Sequence, residues 1–131
     1  MTEHYQEFVA QADHIDELEH VNNAVWVQWI QELATAHWNA VAPKEAIEKY
    51  IWVVTRHEID YRGNIAAGET AIGQTWISER PTGARFWRNF SFADTDGKRL
   101  VSGRTNWAII DRRIQRPVRV PADLVDLFLA D

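Results

Sequence analysis

The 131-residue chain contains no cysteine. That absence removes a disulfide framework, a thiolate nucleophile and a cysteine zinc site, and it fits a reducing compartment. No apolar run approaches the ~20 residues that cross a bilayer. The opening "MTEHYQEF" also lacks the basic and apolar regions of a secretory leader. A cytoplasmic location with no membrane partner is the expectation. Residues 1–43 carry seven acids and no Lys or Arg, whereas all fourteen basic residues lie from Lys44 onward, against twelve acids. A net charge of −5 distributed in this way argues against a nucleic-acid surface. The densest basic stretch is "DRRIQRPVRVP", where Arg112, Arg113, Arg116 and Arg119 read either as a solvated turn or as an anchor for a phosphate-bearing ligand.

With 46% hydrophobic and 25% charged residues, the composition is that of a soluble globular protein. The length suits one domain over residues 1–131, burying roughly 70% of its unfolded surface. No repeat or linker interrupts it. "HYQEFVAQ" reads as a first strand. Asn22 or Asn23 then caps a helix from about Ala24 to Val41, closed by Pro43. On that helix Gln28, Gln31, Glu32, Thr35 and Asn39 form one narrow polar stripe among apolar residues, which predicts a helix nearly enclosed by its own domain. After a connection near "PKEAIEKY" the pattern turns to strands. In "RHEIDYR", Arg56, Glu58, Asp60 and Arg62 alternate with His57, Ile59 and Tyr61. "TAIGQTWISE", "ARFWRNFSFAD" and "RLVSGRTNWAIID" follow, separated by "RPTG" and "TDGK" turns, and "VPADLVDLFLAD" reads as a short closing helix from Pro121. The fold class is α+β, with an antiparallel sheet wrapped around one long buried central helix.

"HVNNAVWVQWIQE" resembles the "HVNN-x-x-Y-x-x-W" signature of hotdog-fold thioesterases of the small acyl-CoA and acyl-ACP type, including those like 4-hydroxybenzoyl-CoA thioesterase. Asp16 holds the acidic position four residues before His20, and Trp26 stands where an aromatic, often Tyr, is usual. "HEIDYRGNIAAGE" and "RTNWAIIDRRIQRPVRVP" are similar to later segments of the same family, in the same order. The resemblance implies a hotdog fold and a homodimer or homotetramer with active sites at the subunit interface. It further implies an acyl-CoA or acyl-ACP substrate and neither metal nor organic cofactor. One departure matters. Members with D-x-N-x-H have an Asn where this chain has Leu18, so an Asp–Asn–His set does not carry over.

Thioester hydrolysis needs a nucleophile or an activated water, and donors for the oxygen that becomes negative. Asp16 is the expected nucleophile or general base, and His20 would orient it or the carbonyl. A helix N-terminus carries unpaired N–H groups and about half a positive charge, so backbone amides around Asn23 and Ala24 are the expected oxyanion donors, with Asn22 or Asn23 shaping the turn. Asn22, Ala24, Trp26, Glu32, Arg112, Arg113 and Arg116 are the expected substrate-binding residues. Glu32 is expected to find an internal hydrogen bond, to line the acyl pocket or to lie at the subunit interface. His57 reads as a satisfied core histidine. The His14, Asp16 and His20 spacing is no standard metal site. Most of the seven tryptophans must be core, although so many flat rings would also suit a bulky or aromatic acyl group. A non-catalytic ligand-binding or scaffold protein and an enoyl-CoA hydratase or dehydratase are the alternatives on the same fold.

Overall fold

The computed structural model describes residues 1–130; Asp131, the last residue of the expected closing segment, lies outside the described residues. Strand β1 (Glu3–Val9) is followed by a short 3-10 turn (Ala12–His14) and a loop that leads into helix α1 (Asn23–Val41). Helix α2 (Lys44–Lys49) precedes the strands β2 (Tyr50–Tyr61), β3 (Thr70–Trp76), β4 (Arg85–Ala93), β5 (Arg99–Asp111) and β6 (Arg116–Pro117), and helix α3 (Ala122–Leu129) closes the chain. The strands pair antiparallel in the order β1-β3-β4-β5-β2, with β6 added to β5.

The start of α1 follows from Asn22, whose Oδ1 accepts the Ala24 N–H at 2.9 Å. The helix stops before Pro43, which disfavours helical geometry at the residue preceding it. Its inner face carries Val25, Trp26, Trp29, Ile30, Leu33 and Trp38 onto the sheet. Close approach depends on Gly73 of β3. A Cβ there would lie 2.9 Å from Phe92 Cε1 and 3.0 Å from Leu33 Cδ2, so the missing side chain is what lets Leu33 seat on the strand. The core divides into two clusters along α1. One surrounds Trp26, Trp29 and Leu33 with Phe8, Phe90 and Phe92. The other surrounds Trp38 with Ile77, Phe86, Ile109 and Phe128.

Three features differ from expectation. The sheet covers α1 on one side only, and Gln28, Gln31, Glu32, Thr35 and Asn39 are all exposed, so enclosure of the helix by its own chain is partial. "PKEAIEKY" is not a bare connection but contains α2. Strand β2 begins at Tyr50, six residues before the alternating stretch, because Ile51 to Thr55 is itself β-branched and aromatic. A register shift between Val54 and Arg56 inverts its phase. Before the shift Trp52 and Val54 are half-buried; after it His57 and Ile59 are. The hairpin turn in "TDGK" forms as expected, with Gly97 at φ +86° and Asp94 Oδ1 accepting the Asp96 and Lys98 N–H groups.

Candidate active site

The loop before α1 is organised by one carboxylate. Ile15 and Val21 form an antiparallel bridge, and between them Asp16 Oδ1 accepts the Leu18 N–H at 2.9 Å and the His20 N–H at 3.2 Å. The Asp16 N–H donates to the His20 carbonyl at 2.8 Å, and Glu19 takes a left-handed conformation at φ +61° to close the turn. Asp16 is half-buried, and its second oxygen makes no hydrogen bond among the described residues. Its turn is fastened on both sides. The Asn22 N–H donates to the His14 carbonyl at 2.9 Å. Asn64, just beyond β2, accepts the Val21 N–H at 2.9 Å and donates to the Val21 carbonyl at 3.3 Å. Asn64 was not among the expected residues; its signal was a lone amide after Gly63, where the chain leaves the sheet.

At the helix N-terminus, capping and carbonyl binding compete for the same amides. The Ala24 N–H is taken by Asn22 Oδ1, and the Val25 and Trp26 N–H groups donate to the Asn22 carbonyl. Of the first-turn donors, only the Asn23 N–H has no partner among the described residues. The expected donor pair therefore reduces to Asn23, with Ala24 already committed to the cap. The His20 and Asn23 side chains are exposed beside Asp16 in sequence and have no side-chain partner among the described residues.

Other expected residues sit elsewhere. Trp26 is fully buried, packed edge-on against Trp29 and Phe92. It is core rather than a wall of a binding site, because the helix turns it onto the sheet. Glu32 faces solvent without an internal hydrogen bond among the described residues. Arg112 and Arg113 lie in the exposed turn after β5 and Arg116 opens β6, also exposed, and the Arg112 Nε–H donates to the Tyr50 carbonyl at 3.3 Å. Arg112 shares a cavity with Trp38 and Asn39 near the C-terminal end of α1. Asp16 precedes the other end of this helix, which is about 28 Å long at 1.5 Å per residue over 19 residues. One chain therefore does not bring the arginines to Asp16. His57 is a half-buried histidine, its Nδ1 2.8 Å from Thr105 Oγ1 and its pKa lowered by burial.

That cavity, of about 410 Å³, is walled by Trp38, Trp52, Phe86, Trp107 and Phe128, and Arg88 reaches it from β4. Arg88 is only 7% exposed, and its Nη1 lies 2.6 Å from His37 Nδ1 and 3.2 Å from Thr75 Oγ1. Burial of His37, reinforced by the Arg88 charge and by His4, lowers its pKa to about 3. The ring is therefore neutral at physiological pH. It accepts from Arg88 at Nδ1 and holds its own proton at Nε2, 3.2 Å from Thr2 Oγ1. Burial pushes Arg88 down to about 9, still charged at neutrality. Keeping the cation buried is therefore unfavourable to the fold. Phe128 lies under the guanidinium at 5.3 Å, and no carboxylate pairs with it among the described residues. The sequence signal for Arg88 was its phase: it alternates inward with Phe86, Phe90 and Phe92.

The acyl-ACP thioesterase N-terminal domain family matches residues 2–128. No curated protein matches the sequence. The fold superposes on an acyl-ACP thioesterase from Bacteroides thetaiotaomicron with a TM-score of 0.82 at 24% identity, covering 98% of this chain and 54% of that one. A 1,4-dihydroxy-2-naphthoyl-CoA thioesterase from Synechocystis gives a TM-score of 0.78 at 11% identity, covering 96% and 95%. A Staphylococcus aureus protein solved in complex with CoA gives 0.82 at 12% identity, covering 96% and 81%. The chain thus spans about half the length of the acyl-ACP enzyme and nearly all of the naphthoyl-CoA one. The curled antiparallel sheet packed against α1 is the hotdog fold.

Proposed function

The chain belongs to the acyl-ACP thioesterase family, and from that premise we propose that it hydrolyses an acyl-CoA with Asp16 as the reacting carboxylate. The family match over residues 2–128 carries the reading, and the free oxygen of a half-buried carboxylate just before a helix N-terminus supports it. In the reaction a C–O bond forms at the thioester carbonyl and the C–S bond breaks. Asp16 either takes a proton from the water that attacks, or attacks directly to give an anhydride that water then hydrolyses to the free acid and Asp16. The Asn23 N–H stabilises the oxygen that becomes negative, and the CoA sulfur leaves and is protonated.

A second copy completes the site. Strand β2 is an edge of the sheet, and Ile51, Val53 and Tyr61 on it are each more than 40% exposed. An unpaired edge with apolar side chains is suited to pairing with its own copy. A two-fold axis perpendicular to the sheet would run β2 antiparallel to itself and set the two α1 helices antiparallel. The Asp16 end of one chain would then lie toward the cavity and Arg112 of the other, so the arginines would meet the CoA phosphates across the interface.

The deciding test is thiol release from short, long and aromatic acyl-CoAs by the wild type and Asp16→Asn. Asparagine keeps the oxygen that accepts from Leu18 and His20 and removes the charge, so the loop persists while the chemistry stops. A fall in kcat of at least about a hundredfold, with circular dichroism and oligomeric state unchanged, is expected. Equal activity in the variant, or no cleavage by the wild type, overturns the proposal and favours a binding protein.

A further inference from the structure

We propose that the cavity between the C-terminal half of α1 and the sheet receives the acyl group and selects one ending in a carboxylate, neutralised by Arg88. The proposal rests on the thioesterase reading for the word acyl, but the recognition chemistry stands on the cavity itself. At about 410 Å³ the space falls within the ~300–1,000 Å³ range of small-molecule sites. Its walls are aromatic, which suits a chain or ring. A cavity meant only for hydrocarbon needs no cation. Yet Arg88 stands at a position in phase with phenylalanines, nine-tenths buried, with two neutral acceptors and no counter-charge among the described residues.

The guanidinium is only partly used. Nη1 serves both His37 and Thr75, whereas Nε and Nη2 make no hydrogen bond among the described residues and are not sealed from the cavity. Two N–H donors of one planar fork match the two oxygens of a carboxylate. A single monoanion balances a single cation, whereas a phosphate dianion would leave excess charge against aromatic walls. His37 fixes the fork, since its neutral Nδ1 holds Nη1 from behind. Trp107, also lining the cavity, leaves its buried indole N–H without a partner. At the rim, exposed Thr35, Asn39 and Arg112 leave the cavity open to a chain entering from outside.

Monomethyl suberate and dimethyl suberate differ by one carboxylate at equal chain length. Binding of each, read by quenching of tryptophan fluorescence, is compared in wild type and Arg88→Met. The half-ester is expected to bind the wild type at least tenfold more tightly than the diester, and the variant is expected to lose the difference. Equal affinities in the wild type overturn the proposal whether or not the variant folds, as does a preference that survives in Arg88→Met. Suberyl-CoA and octanoyl-CoA are then compared as substrates. Half-ester preference without cleavage of either thioester supports the cavity and refutes hydrolysis. Cleavage of octanoyl-CoA without carboxylate preference supports hydrolysis and refutes the role of Arg88.

Discussion

Acidification from pH 7 to pH 5 is expected to weaken the fold through His37. The ring is 1% exposed, faces Arg88 and Thr2, stacks on His4 at 5.7 Å and meets Phe128 edge-on. Its folded pKa of about 3 lies below the ordinary 6.5. The unfolded chain therefore takes the proton more readily, and the stabilisation is complete above about pH 6.5 and is lost as pH falls toward 3. Full linkage gives about 2 kcal/mol between pH 7 and pH 5. The surroundings can relax around a charged ring, so about 1–2 kcal/mol is the expected loss. Urea unfolding followed by tryptophan fluorescence at pH 7, 6 and 5 measures it, with His37→Gln as the reference that keeps an acceptor for Arg88 but does not titrate in this range. The wild type should lose about 1–2 kcal/mol more than the variant. Parallel losses would refute the claim that His37 is held neutral.

Gly103→Ala should destabilise by about 3 kcal/mol or more, because its Cβ would lie 1.9 Å from the Glu58 carbonyl oxygen, a backbone atom of the paired strand; thermal unfolding showing under about 1 kcal/mol would mean that β5 moves aside freely. Asn22→Ala should cost about 1 kcal/mol in chemical denaturation, and Asn22→Asp, which retains the acceptor for the Ala24 N–H, should cost less. For the arginines after β5, rising salt should raise KM for an acyl-CoA while leaving a truncated thioester unaffected. Equal salt sensitivity would remove Arg112, Arg113 and Arg116 from phosphate binding.

The long helix was legible because its ends are chemically marked, by Asn22 at the start and Pro43 after the finish. The strands after Gly68 were legible because tight turns separate them. The first half of β2 was hidden, since Tyr50 to Thr55 lacks polar alternation and the register shift at Thr55 changes which residues face inward. Thr55 bonds both the Asn106 carbonyl and its side chain across that shift, a pairing over 51 residues that no local pattern reveals. Asp16 could be singled out in the loop before α1, but its grip on Leu18 and His20 could not, because a loop has no period. Arg88 and His37 escaped for a different reason. Each sits on the apolar face of its element, and a polar residue in that phase reads as an exception until its partner is known.

The division of the core along α1 separates two liabilities. The Asp16 loop is braced through Val21, which packs in the cluster with Trp26 and Phe92, whereas the cavity walls Trp38, Phe86 and Phe128 belong to the other. Substitutions that reshape the cavity therefore perturb a packing unit that does not hold the loop. Under the proposed function, a chain built on this plan can change what it accepts without disturbing the Asp16 loop, and engineered libraries that change ligand choice should concentrate their diversity in the second cluster.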